Sequence, residues 1–206
     1  MSSSTKSTYP LFESVCVLDG HILNAEYHQK RFLRSYRKFY WQFPVFELFN
    51  DIVIPDEYQK GKVKLRIAYG KNNSYHSFEY YSAKKTESLK LVLDNTIDYD
   101  LKFTDRNQLD LLYQKRGECD DILIVRNGFV TDSYYANIVF WDGEHWFTPS
   151  SCLLEGTKRS QLLEEETIKE MPLQIQDLGK FEGFQLINAM LDFKSNSWLP
   201  IKNIRQ

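Results

Sequence analysis

The stretch from residue 121 to residue 149 limits what this chain can fold into more than any other. Ile122-Leu-Ile-Val125 and Phe129-Val-Thr131 flank Arg126-Asn-Gly128, and Asn137-Ile-Val-Phe-Trp141 and His145-Trp-Phe147 flank Asp142-Gly143. Asn-Gly and Asp-Gly accept the positive φ that a tight turn demands, so this pattern predicts two successive β-hairpins, the second closed by Pro149. Near the other end of the chain, residues 12–18 are rich in strand formers. Asp19-Gly20 predicts a turn there, with residues 21–23 as the return strand. Lys62-Val-Lys-Leu-Arg-Ile-Ala-Tyr69 alternates polar and apolar residues, as a half-buried strand does, and residues 76–81 pair with it across a turn. Residues 89–93 and 184–187 add two more strands.

Helical spacing predicts a helix over residues 25–40 with Asn24 as its N-cap, and a short helical stretch between Pro44 and Pro55. It predicts two more over residues 105–116 and from Gly156-Thr157 to Glu166. On the first helix His28, Phe32, Tyr36 and Phe39 share a face, as do Tyr27, Arg31 and Arg34 or Ser35. A surface or core-edge position is the commoner reading of His28. Residues 84–88 are polar and aperiodic and read as a linker. The expected fold class is therefore α/β (α+β) in two lobes. A small N-terminal α/β lobe covers residues 1–84, its first nine a disordered tail, and a larger β-rich lobe covers residues 85–206.

Composition narrows the function. Of the 206 residues, 26% are charged and 42% hydrophobic, which argues against disorder or a coiled coil. A formal charge of -2 offers no basic footprint for nucleic acid or an acidic membrane surface. No apolar run approaches the ~18 residues of a membrane span. The polar N-terminus lacks an apolar h-region, and Cys16, Cys119 and Cys152 are far apart, so reduced thiols in a cytoplasmic protein are expected. The four histidines form no metal motif. No dinucleotide fingerprint, phosphate loop or Gly-x-Ser-x-Gly elbow occurs, which demotes P-loop hydrolases, serine hydrolases and zinc enzymes.

Four features carry possible chemistry. The helix opened by Gly156-Thr157-Lys158-Arg159 puts cations in its first turn and its acids later, against the dipole preference. An anion docked on the first-turn amides makes that tolerable, with Gly156 permitting close approach; a glycine turn with two solvated cations is the plainer explanation. Asp132, at a strand end between two hairpins, can aim into a cleft or simply form a turn. Lys102 lies between Leu101 and Phe103, apolar neighbours of the kind that lower a lysine pKa, although solvated lysines far outnumber reactive ones. Arg31 is the fourth. A lysine, a carboxylate, an arginine and a glycine-led helix start together suit pyridoxal phosphate, which needs a Schiff-base lysine, a partner for its ring nitrogen and donors for its phosphate.

The order of these segments resembles the class IV aminotransferases, fold-type IV pyridoxal phosphate enzymes that include branched-chain and D-amino-acid aminotransferases and aminodeoxychorismate lyase. The likeness runs from Phe12 onward. Phe12-Glu13, Asp19-Gly20 and His28-Gln-Lys-Arg31 look like the family's first strand pair and its His-x-x-Arg helix, which implies that Arg31 holds the cofactor phosphate. Leu101-Lys102 with Asp105-Arg106 looks like the segment bearing the Schiff-base lysine. Residues 120–132 with Ala136-Asn137-Ile138 resemble the signature hairpin, which implies that Asp132, where the family usually carries Glu, binds the pyridine nitrogen, with Asn137 in the cofactor site. Leu154-Glu-Gly-Thr-Lys-Arg159 resembles the second signature, implying phosphate contacts at Gly156, Thr157 and Lys158. The family's usual N-terminal strand and Gly-Asp-Gly turn have no counterpart before Phe12.

Ile187-Asn188-Ala189-Met190 is similar to a loop of the lyase branch, which places Asn188 and Ala189 near the phosphate. The resemblance thus implies a fold like that of D-amino-acid aminotransferase, a homodimer, and Lys102 as catalytic base. It implies a lyase making 4-aminobenzoate and pyruvate for folate synthesis, with a branched-chain or D-amino-acid aminotransferase as the alternative and a non-catalytic homologue as a third. Arg66 or Lys64 could meet a substrate carboxylate, a solvated strand face being the plainer reading. No metal, nucleic acid or membrane partner is expected.

Overall fold

The computed structural model describes residues 8–206. The expected tail therefore lies, for residues 1–7, outside the described residues. Tyr9, placed in that tail, is anchored: its carbonyl accepts from Thr104 Oγ1 at 2.7 Å. The chain forms two compact units, one comprising residues up to Ser82 with Leu101–Asp105, the other Ala83–Asp100 with Arg106–Gln206. A division at residues 84 and 85 would put Lys102 in the second unit. Its segment packs with the first because the Lys102 carbonyl accepts from Phe12 N at 3.0 Å and Pro10 O accepts from Thr104 N at 2.7 Å.

In the first unit, β1 (Leu11–Leu18), β2 (His21–Ile22), β3 (Lys62–Tyr69) and β4 (Ser74–Tyr80) make an antiparallel sheet of order β2-β1-β3-β4. Asp19 and Gly20 both take positive φ, 47° and 76°, as the turn chemistry requires. Helix α1 (Ala25–Tyr40) buries Phe32 and Tyr36 against Leu11, Val15, Val17, Val63, Leu65, Ile67 and Tyr69. Phe32 meets the Tyr69 ring edge-on at 4.9 Å. Asn24 occupies the N-cap position, but in a left-handed conformation and without a side-chain capping bond. The stretch between Pro44 and Pro55 is turns rather than a helix, and a 3-10 turn follows at Asp56–Tyr58.

The second unit holds two sheets. One pairs β5 (Leu89–Leu93), β6 (Asp121–Arg126), β7 (Phe129–Ser133) and β13 (Ile204–Arg205) in the order β13-β5-β6-β7, with α2 (Asn107–Tyr113) between β5 and β6 in sequence. The other pairs β8 (Asn137–Trp141), β9 (Trp146–Pro149), β10 (Lys169–Met171), β11 (Gly183–Ile187) and β12 (Leu199–Pro200) in the order β10-β9-β8-β11-β12. Both hairpins predicted over residues 121–149 form. Ile138 and Phe140 of β8 pack with Leu123, Val125 and Val130 of the first sheet, whereas Val139 faces Leu162 of α3 (Thr157–Glu164). That double burial explains why β8 is apolar without alternation. The turn from β7 to β8, closed by Ser133 N to Ala136 O at 2.9 Å, brings Asp132 opposite Asn137.

Candidate active site

Each unit presents its own set of polar groups. In the first, Glu13 points from the middle of β1 toward α1 and is fully buried. It accepts from His28 Nδ1 at 2.6 Å and from Arg31 Nε at 2.9 Å, and Arg31 Nη2 takes its second oxygen. Because i, i+3 positions share a helix face, one carboxylate reaches both side chains. His28 is therefore wholly buried, not a surface or core-edge residue, since Glu13 satisfies it there. Burial alone would raise the Glu13 carboxyl, but the Arg31 charge and the bonds from His28 and Arg31 outweigh it and bring it to about 2. Burial drives His28 below its ordinary value, against the pull of Glu13 and with Arg31 and Lys102 adding repulsion. A carboxylate only accepts, so a neutral His28 must carry its proton on Nδ1.

Lys102 sits in a three-residue turn, Phe103 N donating to Leu101 O at 2.9 Å. Leu101 is buried and Phe103 half-buried, but the ring that the lysine covers is that of Phe12, with Nζ 4.9 Å from its centroid. The guanidinium of Arg66 lies 3.7 Å from the centroid of the same ring. Lys102 and Arg66 thus share one aromatic residue of β1, while Lys64 pairs with Glu79.

In the second unit Asp132 is almost wholly buried. Oδ1 accepts from Asn137 Nδ2 at 2.7 Å, and Oδ2 from the amides of Leu153 at 2.8 Å and Leu154 at 3.0 Å. Burial raises this carboxyl to about 6; those donors and the charge of Arg159 pull the other way without matching it. An ionised Asp132 is thus under-compensated, which suits a cationic N–H as partner. Asn137 also donates to Leu154 O at 2.8 Å, so it positions Asp132 and the loop before α3.

Gly156 opens α3. A Cβ on it would lie 2.0 Å from Asn137 Oδ1, so the residue must be glycine for Asn137 to reach Asp132. The sequence offers phosphate approach or a plain glycine turn as reasons for this glycine, and the contact with Asn137 is a further one. Thr157 is buried, and the first-turn amides have no acceptor within the helix. Lys158 Nζ turns along the helix to Gln161 Oε1 at 2.8 Å. Arg159, for which a solvated cation is the plainer expectation, is instead 4% exposed, donates to Pro149 O at 3.1 Å and pairs with Glu170. Asn188 shapes its own loop: Oδ1 accepts from Met190 and Leu191 amides at 2.8 and 2.9 Å, and Nδ2 donates to Tyr135 O at 3.3 Å. Ala189 is half-buried beside it.

Among the described residues no three His, Cys, Asp or Glu side chains are grouped to hold a metal, and no helix is long and apolar enough to cross a membrane. Each unit by itself holds groups of a kind that pyridoxal phosphate needs: the first a lysine over an aromatic ring and a guanidinium fixed by a carboxylate, the second a buried carboxylate short of positive charge and a helix start.

Comparison with known proteins agrees. A Haemophilus influenzae protein described as uncharacterized is 38% identical over 184 residues, 88% of this chain and 98% of its own length. The crystal structure of a Haemophilus somnus protein provisionally described as a 4-amino-4-deoxychorismate lyase superposes with a TM-score of 0.80 at 34% identity, covering 91% of this chain and 99% of that one. A hypothetical aminotransferase of Mycobacterium tuberculosis, in its pyridoxal-phosphate-bound form, matches with a TM-score of 0.68 at 18% identity over 89% of this chain and 78% of its own, a likeness of fold alone. The profile of the class IV amino-transferases matches residues 10–204, and the chain belongs to that family of pyridoxal phosphate enzymes.

Proposed function

We propose that this protein is a pyridoxal-phosphate-dependent lyase that converts 4-amino-4-deoxychorismate to 4-aminobenzoate and pyruvate, acting as a cytoplasmic homodimer in folate synthesis. The observation that carries the cofactor assignment is Asp132, a buried carboxylate with three donors and still too little positive charge. A protonated ring nitrogen supplies what it lacks, although Asp is one methylene shorter than the family's Glu. Similarity to the Haemophilus somnus protein and the Asn188-Ala189-Met190 loop favour the lyase reading over transamination.

Lys102 Nζ would bind the aldehyde carbon, and Arg31 with the amides of Thr157 and Lys158 would take the phosphate. Asn137 would hold Asp132 in place, while Arg66 would face a substrate carboxylate. The bound group supplies an electron sink for charge at the carbon bearing the substrate nitrogen. Once the substrate amine has displaced Lys102 from the aldehyde carbon, the freed Nζ would take the proton from the carbon bearing nitrogen and return one to the departing three-carbon unit. Substrate and the two products balance with nothing added.

The test supplies cofactor-loaded protein with freshly generated 4-amino-4-deoxychorismate and follows 4-aminobenzoate and pyruvate together. Equal formation of both, abolished by Lys102→Ala, supports the lyase. Loaded protein that yields neither refutes it, and turnover of an amino donor by that protein then identifies an aminotransferase. Sedimentation at working concentration tests the homodimer.

A further inference from the structure

The cluster of Glu13, His28 and Arg31 does more than its packing requires. Helix α1 is already held to the sheet by Phe32 and Tyr36 among the buried strand residues. A buried ion pair adds little to stability compared with apolar side chains of equal volume, so its presence calls for another reason. Glu13 is fixed in the ladder opposite Ile67 and takes the Nε–Nη2 edge of the Arg31 fork with both oxygens. Arg31 is only 6% exposed, and this bond pair fixes the Nε–Nη2 edge of its guanidinium within the protein. In a planar guanidinium the edge formed by the two Nη groups is the one that two phosphate oxygens can meet side-on. His28 Nδ1 holds the Glu13 oxygen that Nη2 shares, which prevents the carboxylate from rotating out of the fork plane.

We propose that Glu13 is a positioning residue for phosphate binding at Arg31, and that His28 holds Glu13 in that role. The proposal rests on the cofactor reading above. Charge and orientation make opposite predictions here. Removing the Glu13 charge leaves Arg31 more positive, so an anchor working by net charge would bind phosphate better; an anchor working by orientation binds it worse.

Cofactor-free protein is titrated with pyridoxal phosphate and with pyridoxal, which lacks the phosphate, following absorbance; the ratio of the two affinities reports the phosphate alone. Wild type prefers pyridoxal phosphate and Arg31→Met loses that preference. Glu13→Gln lowers it about tenfold, the scale of one charge-assisted hydrogen bond, with pyridoxal affinity unchanged. His28→Asn, whose amide nitrogen can stand where Nδ1 stood, keeps most of the preference, and His28→Leu loses it. Should Glu13→Gln fail to fold, the two His28 variants decide: equal preferences in both overturn the proposal. An unchanged or increased preference in Glu13→Gln also overturns it while leaving the cofactor reading intact. A wild type that binds both compounds equally refutes Arg31 as the phosphate anchor, and the proposal with it.

Discussion

Replacing Asp132 by Asn should stabilise the cofactor-free protein while weakening its hold on the cofactor. Burial moves the Asp132 carboxyl from 3.8 to about 6. At about 1.4 kcal/mol per unit, keeping it ionised at pH 8 costs roughly 3 kcal/mol of folding stability. Asn carries no charge, and its oxygen can still accept from Leu153 and Leu154. Its amide, however, meets the Nδ2 of Asn137, a lost bond and an opposed donor pair worth about 1–2 kcal/mol. The net gain is therefore about 1–2 kcal/mol at pH 8. The sign follows from proton binding: between about pH 4 and 6 the folded protein holds a proton that the unfolded chain has lost, so stability falls as pH rises through that window. The advantage of Asp132→Asn is fully present above pH 6, is cancelled near pH 5 by the lost Asn137 bond, and reverses below that. Asp121, which burial also raises to about 6, is common to both proteins and cancels in the difference. Urea unfolding of both proteins at pH 8 and pH 4.5 measures this. A variant that is less stable by the same amount at both pH values would show that Asp132 is not under-compensated, and the argument for a cationic partner would fail.

Gly156→Ala should cost about 1–3 kcal/mol by driving a methyl into Asn137, and Asn137→Ala in the same chain should recover part of it; thermal unfolding of the double-mutant cycle checks this. Lys102→Ala should abolish the borohydride-fixed mass increase seen on loading with pyridoxal phosphate, while Lys158→Ala, whose Nζ turns to Gln161, keeps it; trapping that survives in Lys102→Ala would show the wrong lysine was chosen. Glu13, lowered from 4.5 to about 2, contributes roughly 3 kcal/mol of stability that is present above pH 4.5 and lost as pH falls toward 2. The acid limb of the wild-type stability curve should therefore be shallower in Glu13→Gln.

Wherever local chemistry decides the outcome, the sequence reading and the structure agree. Asn127-Gly128 and Asp19-Gly20 turn the chain with both residues at positive φ, Asp142-Gly143 does so with Gly143 alone at positive φ and the Asp142 carboxylate accepting from the Glu144 and His145 amides, and the alternation over residues 62–69 yields a strand with one buried face. Reading failed where long-range contacts decide. Pro44 and Pro55 bracket turns whose conformation local propensity did not set. Asn24 is a favoured capping residue that adopts positive φ and makes no side-chain capping bond. His28 looked superficial because its partner, Glu13, lies fifteen positions away on another element. Gly156 is explained by Asn137, nineteen positions earlier, a contact that no spacing rule encodes. Arg159 reads as a solvated cation for the same reason: Glu170 and Pro149 O, the partners that bury it, are met only once β9 and β10 lie side by side.

The two units treat buried charge in different ways. In the first, Glu13 cancels the charge of Arg31 within the protein, so an incoming phosphate meets donors already oriented, with little net field to draw it. In the second, Asp132 is burdened by its own burial, and the amides and Asn137 that surround it orient the carboxylate without neutralising it. On the proposed cofactor reading, the phosphate and the protonated ring nitrogen of pyridoxal phosphate would each gain in an unlike way. Its phosphate gains from geometry prepared before binding, and its ring cation gains from relieving a cost that the empty protein bears. Only the second gain should register as a change in folding stability when Asp132 is neutralised, because Glu13 and Arg31 are satisfied whether or not a ligand is bound. Substitution at Asp132 thus trades stability against cofactor affinity, whereas substitution at Glu13 lowers both.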